Sequence, residues 1–176
     1  MKIILQTDRL ILRELVPSDL DAVFALDSDP EVHKFIGNRP ATSKLDAIQS
    51  IEDKIAQYKT HGVGRWAIID KQSNAFLGWA GLKFICDETN KISNYYDLGY
   101  RLHPRIWGQG IATEAAKAIL AYGFSELNID TIYAMAEEEH FASHRVLEKI
   151  GMRCLELINF EGKQYKWFAL NKLDFL

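Results

Sequence analysis

Cysteine is scarce in this sequence, with Cys86 and Cys154 alone among 176 residues. Both lie in apolar runs, F-I-C and R-C-L-E-L, without the spacing of a zinc site. The expectation is two reduced thiols packed in strands, and neither a disulfide framework nor a metal centre. Proline is also rare, at four residues, and there is no low-complexity stretch, internal repeat or linker. No apolar run nears the ~20 residues of a membrane span. The opening I-I-L breaks at once into Gln6-Thr7-Asp8-Arg9, so no signal peptide and no membrane partner are expected, and the protein reads as cytoplasmic. Basic charge is lacking too. A formal net charge of −3 is not the footprint that phosphate backbones require, which argues against direct nucleic-acid binding. A mildly acidic surface instead suits a cationic partner.

What is present is an ordinary globular composition, 48% hydrophobic and 26% charged, in a length that suits one domain with its own core. Arg9 to Leu15 alternates as a strand. Ser18 or Asp19 is placed to cap a helix carrying Leu20, Val23, Phe24 and Leu26. Asp29-Pro30 restarts a short helix that Gly37-Asn38 ends. Thr42 or Ser43 caps a longer one, with Leu45, Ile48, Ile51, Ile55 and Tyr58 at helical spacing and His61-Gly62 as its close. The period then changes from helical to alternating. Strands are expected over Arg65 to Asp70, Ala75 to Cys86 and Tyr95 to Leu102. Gly78 and Gly81 inside the second hint at a bulge or a close backbone approach. A helix follows from Ile111 to Leu127, a strand from Thr131 to Ala136, and a helix from Ser143 to Ile150. Two last strands, near Arg153 to Phe160 and Gln164 to Leu170, flank the turn Glu161-Gly162-Lys163. The fold class is α/β (α+β), a single domain over residues 1–176, with a mixed, mostly antiparallel sheet of about six to seven strands flanked by helices.

Between the strand ending at Leu102 and the helix near Ile111 lies H-P-R-I-W-G-Q-G, followed by I-A-T-E-A-A. Gly108 and Gly110 free the backbone and clear side chains from a ligand's path. The helix then opens with amides that have no internal partner and with the positive end of its dipole. Strand, glycine turn and helix N-terminus together form a cradle for a phosphate or pyrophosphate. Neither G-x-G-x-x-G nor G-x-x-x-x-G-K-[ST] is present.

This loop and its neighbours resemble the GNAT acetyltransferase superfamily, and within it the RimJ/RimL-like branch of protein N-terminal acetyltransferases. The superfamily's [R/Q]-x-x-G-x-[G/A] corresponds to Trp107-Gly108-Gln109-Gly110-Ile111-Ala112, and the branch form W-G-x-G-x-A-T-E-A is matched by W-G-Q-G-I-A-T-E-A. T-D-R-L-I-L-R-E-L resembles the branch's first strand and L-G-Y-R-L-H-P its fourth. E-H-F-A-S-H-R-V-L-E-K-I-G-M resembles its late helix, usually E-N-x-x-S-x-x-V-L-E-K-x-G-F.

The resemblance implies acetyl-CoA as co-substrate. Its pantetheine arm would lie along Tyr100, Arg101 and Leu102. Its pyrophosphate would rest on the amides of Gln109, Gly110, Ile111, Ala112 and Thr113. A strand amide would polarise the thioester carbonyl. Ser143 matches the branch's serine near the cofactor sulfur, where it would donate to the departing thiolate, and it also has the place of a helix-terminal serine that satisfies the backbone. His140 stands where the branch has an asparagine that contacts the cofactor.

The implied acceptor is the N-terminal α-amine of a protein or peptide, with a small amine such as a polyamine, amino acid or antibiotic as the alternative. A base is sought in Asp97 or in Glu137 to Glu139. Strand alternation puts Asp97 on the face opposite Leu98 and Tyr100, where a solvated strand carboxylate is the favoured reading, and the acidic triplet reads as a solvated strand end that would also attract a cationic acceptor. Phe35 and the following G-N-R-P lie where the family's early helices overhang the acceptor groove. The other aromatics (Trp66, Trp79, Phe84, Tyr95, Tyr96 and Trp167) alternate along strands as core. His140 and His144, four apart but without the glutamate of H-E-x-x-H, read as a surface pair, so no metal is expected. Exposed sheet edges are compatible with a homodimer. Two other classes stay open: a non-catalytic acetyl-CoA sensor, and a plain α/β domain whose glycines only make turns.

Overall fold

The computed structural model describes residues 2–175. Eight strands form one sheet in the order β1-β2-β3-β4-β5-β6-β8-β7. They are β1 (Ile3–Gln6), β2 (Leu10–Arg13), β3 (Arg65–Asp70), β4 (Phe76–Ile85), β5 (Tyr95–Leu102), β6 (Thr131–Glu137), β7 (Arg153–Phe160) and β8 (Lys163–Asn171). Five helices pack around it: α1 (Leu20–Asp27), α2 (Pro30–His33), α3 (Lys44–His61), α4 (Ile111–Ser125) and α5 (Phe141–Lys149). The strand count exceeds the expectation by one. Ile3–Gln6 pairs with β2 as an added edge strand.

The sheet is covered on both faces, which explains why β3 is buried nearly throughout rather than at alternate residues. Trp66 and Ile68 join Leu82, Leu98, Ile132 and the α4 residues Ala115, Ile119 and Leu120 in the main core. Ala67 and Ile69 face the other way, against Val23 of α1 and Ala47 and Ile51 of α3. Local sequence sets the helix ends. Ser43 and Asp46 form a reciprocal capping box at the start of α3, and Gly62 closes it in the left-handed region. Pro17–Asp19 forms a short 3-10 turn before α1, and Asp19 makes no side-chain cap, being bound instead to Arg13 and the Val16 amide.

All neighbouring strands run antiparallel except β5 and β6. That parallel pair is joined only at Tyr96 with Ile132 and Asp97 with Tyr133. β5 then continues to Leu102 alongside β4, and β6 to Glu137 alongside β8, without pairing to each other. The sheet therefore splits into a wedge in its middle. Both cysteines are exposed thiols, contrary to the expectation of packed ones. Cys86 follows the last residue of β4, and Cys154 lies on the edge strand β7, most of whose residues are exposed.

Candidate active site

The wedge opens into a cleft of about 480 Å³. β5 contributes Asp97 to Arg101, β6 contributes Ala134 to Glu137, and α5 contributes its N-cap His140 together with Ser143 and Leu147. The segment after α2 supplies Phe35, Ile36, Gly37 and Arg39, and the β7–β8 hairpin supplies Phe160, Glu161, Lys163 and Tyr165. A strand edge without a partner leaves backbone donors and acceptors free, so the wedge suits an extended ligand with amide groups of its own.

At the far end of β5 the glycine loop runs into α4. Gly108 and Gly110 both have positive φ, at 76° and 78°, and Gly110 is the N-cap. Among the described residues, none of the amides of Gln109 to Thr113 has an acceptor within the chain. Trp107 is half exposed and donates its Nε1–H to the Leu102 carbonyl at 2.9 Å, which pins the loop to the end of β5. On the other side, Arg9 donates from Nη1 to the Gln109 carbonyl at 3.0 Å and from Nε to Glu114 at 2.6 Å. Thr7 donates its hydroxyl to the same carboxylate at 2.5 Å. Burial alone would raise the Glu114 carboxyl, but the Thr7 hydroxyl and the Arg9 amide and guanidinium hold it below its ordinary value. The T-D-R segment near the N-terminus thus braces the first turn of α4 and leaves a guanidinium beside the loop. The sequence shows both segments but not their pairing, because nothing local joins Arg9 to a glutamate 105 residues away.

Ser143 does not cap its helix. It lies in the first turn of α5, after the N-cap His140, which makes no side-chain cap. Its Oγ lies 2.8 Å from the Tyr100 hydroxyl, which also reaches the Ser143 carbonyl at 3.2 Å. Burial pushes the Tyr100 phenol up to about 12, so it stays protonated and available as a donor. His140 stacks on Phe35, with ring centroids 4.7 Å apart. Burial, and then His144, lower its pKa and keep the imidazole neutral. The two histidines are not a surface pair: His144 is buried, with Nε2 3.0 Å from the Glu137 carbonyl.

Asp97 is not a solvated strand carboxylate either. Its side chain is 16% exposed and paired with Arg65, whose Nη1 also donates to the Gly81 and Asp97 carbonyls. The register places Arg65 opposite Gly81 and Gly81 opposite Gly99, so one face of three strands carries an arginine above two glycines. A Cβ at Gly99 would come within 2.6 Å of the guanidinium. Its absence lets Arg65 lie across β5 and reach Asp97. Burial raises the Asp97 carboxyl, with the Arg65 charge opposing. Only one of its oxygens is bonded to Arg65, and the other has no hydrogen-bond partner among the described residues.

Of the acidic triplet, Glu138 and Glu139 are exposed, as a strand end should be. Glu137 turns into the cleft and is held by Lys163 at 2.8 Å, Tyr165 at 3.4 Å and the Gly37 amide at 3.4 Å. Of the aromatics expected as core, Trp79 lines the cleft, while Trp66, Tyr95 and Trp167 are buried.

The sequence profile of the acetyltransferase (GNAT) domain matches residues 9–153. The chain belongs to the GNAT family. It is an acetyl-CoA-dependent N-acetyltransferase built as one open, mostly antiparallel sheet with flanking helices. It is 32% identical over 150 residues to the uncharacterized N-acetyltransferase YoaA of Bacillus subtilis, covering 85% of this chain and 82% of that one. A GNAT-family acetyltransferase from Bacillus anthracis superposes with a TM-score of 0.79 at 26% identity, over 98% of this chain and 99% of the other. A more distant relative, the spermidine N(1)-acetyltransferase of Escherichia coli, is 25% identical over 91% of this chain and 78% of its own. Among the described residues no helix is long and apolar enough to cross a membrane.

Proposed function

We propose that this N-acetyltransferase acts on an α-amine, that of a protein or peptide N-terminus, as in the RimJ/RimL-like branch its motifs resemble. The observation that carries this reading is the pairing of the cleft's two inner carboxylates. Asp97 is clasped by Arg65, and Glu137 by Lys163. A polyamine or lysine acceptor, with amines of pKa near 10.4, would demand a strong base or unpaired carboxylates. An α-amine, at about 7.7–8.0, is partly neutral at physiological pH and needs little help.

In this reading the amides of Gln109, Gly110, Ile111, Ala112 and Thr113 hold the pyrophosphate, and Trp107, Gly108 and Arg9 keep their loop in shape. Tyr100, Arg101 and Leu102 offer the unpaired strand edge to the pantetheine, and His140 flanks it in place of an asparagine. A β5 backbone amide stabilises the oxyanion as the amine attacks the thioester. Asp97 accepts a hydrogen bond from the amine through its free oxygen and takes up the proton. Ser143 donates a hydrogen bond to the departing thiolate and is held in place by the Tyr100 hydroxyl, and the proton that the amine releases through Asp97 balances the one taken up by the thiol, by exchange with solvent. The Tyr100–Ser143 pair also favours an enzyme over a sensor, since acetyl-CoA binding alone requires no proton donor at the sulfur.

The test is mass spectrometry of the enzyme with acetyl-CoA and a mixed pool of free N-terminal peptides, N-blocked lysine peptides, polyamines and amino acids. Acetylation of free α-amines, with the lysine peptides and polyamines untouched, is the expected result. Acetylation of spermidine or of the blocked lysine peptides would overturn it.

A further inference from the structure

The acceptor side of the cleft has a floor that neither the acetyl donor nor the acetyl-transfer chemistry accounts for. Trp79 and Arg101 are opposite each other on β4 and β5, on the face that carries Arg65 and Asp97. The Arg101 guanidinium carbon lies 4.9 Å from the centre of the Trp79 ring, that of Arg65 5.9 Å, and the Lys54 ammonium 5.1 Å. Three cations therefore surround one indole. The acids at this floor are Asp27, bonded to Arg101 at 2.6 Å, and Asp97. Arg101 is thus matched by Asp27 and Arg65 by Asp97, while Lys54 has no ion pair among the described residues, with Asp27 and Asp53 acting on it only from further away. Burial first lowers the Lys54 amine to about 8, with Arg101 and Arg65 adding to the shift and Asp27 and Asp53 opposing it.

Polar atoms there are also short of acceptors. Trp79 Nε1 and Arg101 Nε are buried N–H donors without a hydrogen-bond partner, and both residues line the cleft. Two orphaned donors in one small region are costly unless something outside the chain accepts from them. Positive charge, aromatic surface and unfilled donors are the requirements of an oxyanion. A polyamine would find the opposite of what it needs.

We propose that this floor binds a carboxylate of the acyl acceptor, with the Trp79 indole N–H and Arg101 as its hydrogen-bond donors, so that the substrate is an amine and a carboxylate on one short molecule or segment. The inference rests on the α-amine reading above and narrows it. The Asp97 end receives the amine, and the Trp79–Arg101 end receives the acid. The carboxylate comes either from a free amino acid or from an acidic side chain in the first residues of a peptide.

The experiment is calorimetric titration of the CoA-saturated enzyme with matched ligands. These are amino acids and their carboxamides, peptides starting with an acidic residue and their amide counterparts, and spermidine. Turnover of each is measured in parallel with acetyl-CoA. The expected result is at least tenfold tighter binding of the acid within a pair, with the amino-acid and peptide arms showing which source is used. Trp79→Phe keeps the ring and deletes the donor, so it should erase most of that difference, and its unchanged Tm would show that the fold is intact. Equal binding of acid and amide, failure of every acid to bind, or preference for spermidine would overturn the proposal. Acid-selective binding without any acetyl transfer would instead sink the α-amine acetylation reading and leave the carboxylate site standing. Acetylation of acid and amide alike would do the reverse.

Discussion

Ser143 shows how far a residue's role depends on its neighbour. A serine near a helix start ordinarily accepts a backbone hydrogen bond, but here its Oγ meets the Tyr100 phenol at 2.8 Å. Serine alone is a poor acid, and a buried tyrosine behind it supplies a fixed donor. Ser143→Ala should lower kcat by roughly a hundredfold, at the low end of the usual range for a positioned proton donor. Its acetyl-CoA Kd should stay within about twofold of wild type, because only the transition state is addressed. Tyr100→Phe should show a smaller loss of the same kind. Wild-type kcat in Ser143→Ala, measured by thiol release, would leave the hydroxyl a packing role only. At this scale the sequence was least readable. Ser143, the loop glycines and Asp97 were visible as residues, whereas Asp97's clasp was not. It needs Arg65, 32 positions away, and the missing Cβ of Gly99 between them. Likewise Trp79 alternates as a core residue would, and only the register against Arg101 turns it toward the cleft.

Elements were read more successfully, because periodicity and breakers act locally. β3 and β5 fall on their expected bounds, and α4 and β6 within one or two residues. What failed had physical causes. Ile3–Gln6 carries too short a pattern to signal a strand and is stabilised by its pairing with β2. On α3, Leu45 and Ile48 keep helical spacing yet are 74% and 37% exposed, while Ala47 and Ile51 are buried. That helix presses on α1 through a narrow strip, and small Ala47 rather than Leu45 marks its direction. The β7–β8 hairpin also shows a local conflict. Glu161 and Gly162 both have positive φ, at 49° and 82°, which a two-residue primed turn demands and which glutamate disfavours. Glu161→Asn should relieve this strain and raise stability by up to about 1 kcal/mol, read by denaturant or thermal unfolding. A loss of stability would mean that the Glu161 side chain stabilises the hairpin in a way its backbone does not reveal.

At the scale of the molecule, the fold looks like a sheet interrupted for a ligand. Antiparallel pairing runs from β1 to β5 and resumes from β6 to β7, and the one parallel junction holds at only two register positions. A ligand that bridges β5, β6, α4 and α5 would replace the missing ladder and tie the two halves together. Acetyl-CoA should therefore act as a stabiliser through ordinary linkage. At a hundred times its Kd it should add about 2.7 kcal/mol to the unfolding free energy. For a chain of this length each kcal/mol moves Tm by roughly 2–4 °C, so a rise of roughly 5–11 °C is expected. Gly110→Asp supplies the control. It sets a carboxylate at the amide cradle and a side chain at φ 78°, which costs cofactor affinity far more than core packing, since the loop is exposed. The variant should unfold near the wild-type apo temperature and show no shift with acetyl-CoA. An undiminished shift would detach the pyrophosphate from the Gln109–Thr113 amides. No shift in the wild type would mean that the wedge between β5 and β6 is not where the acetyl donor binds.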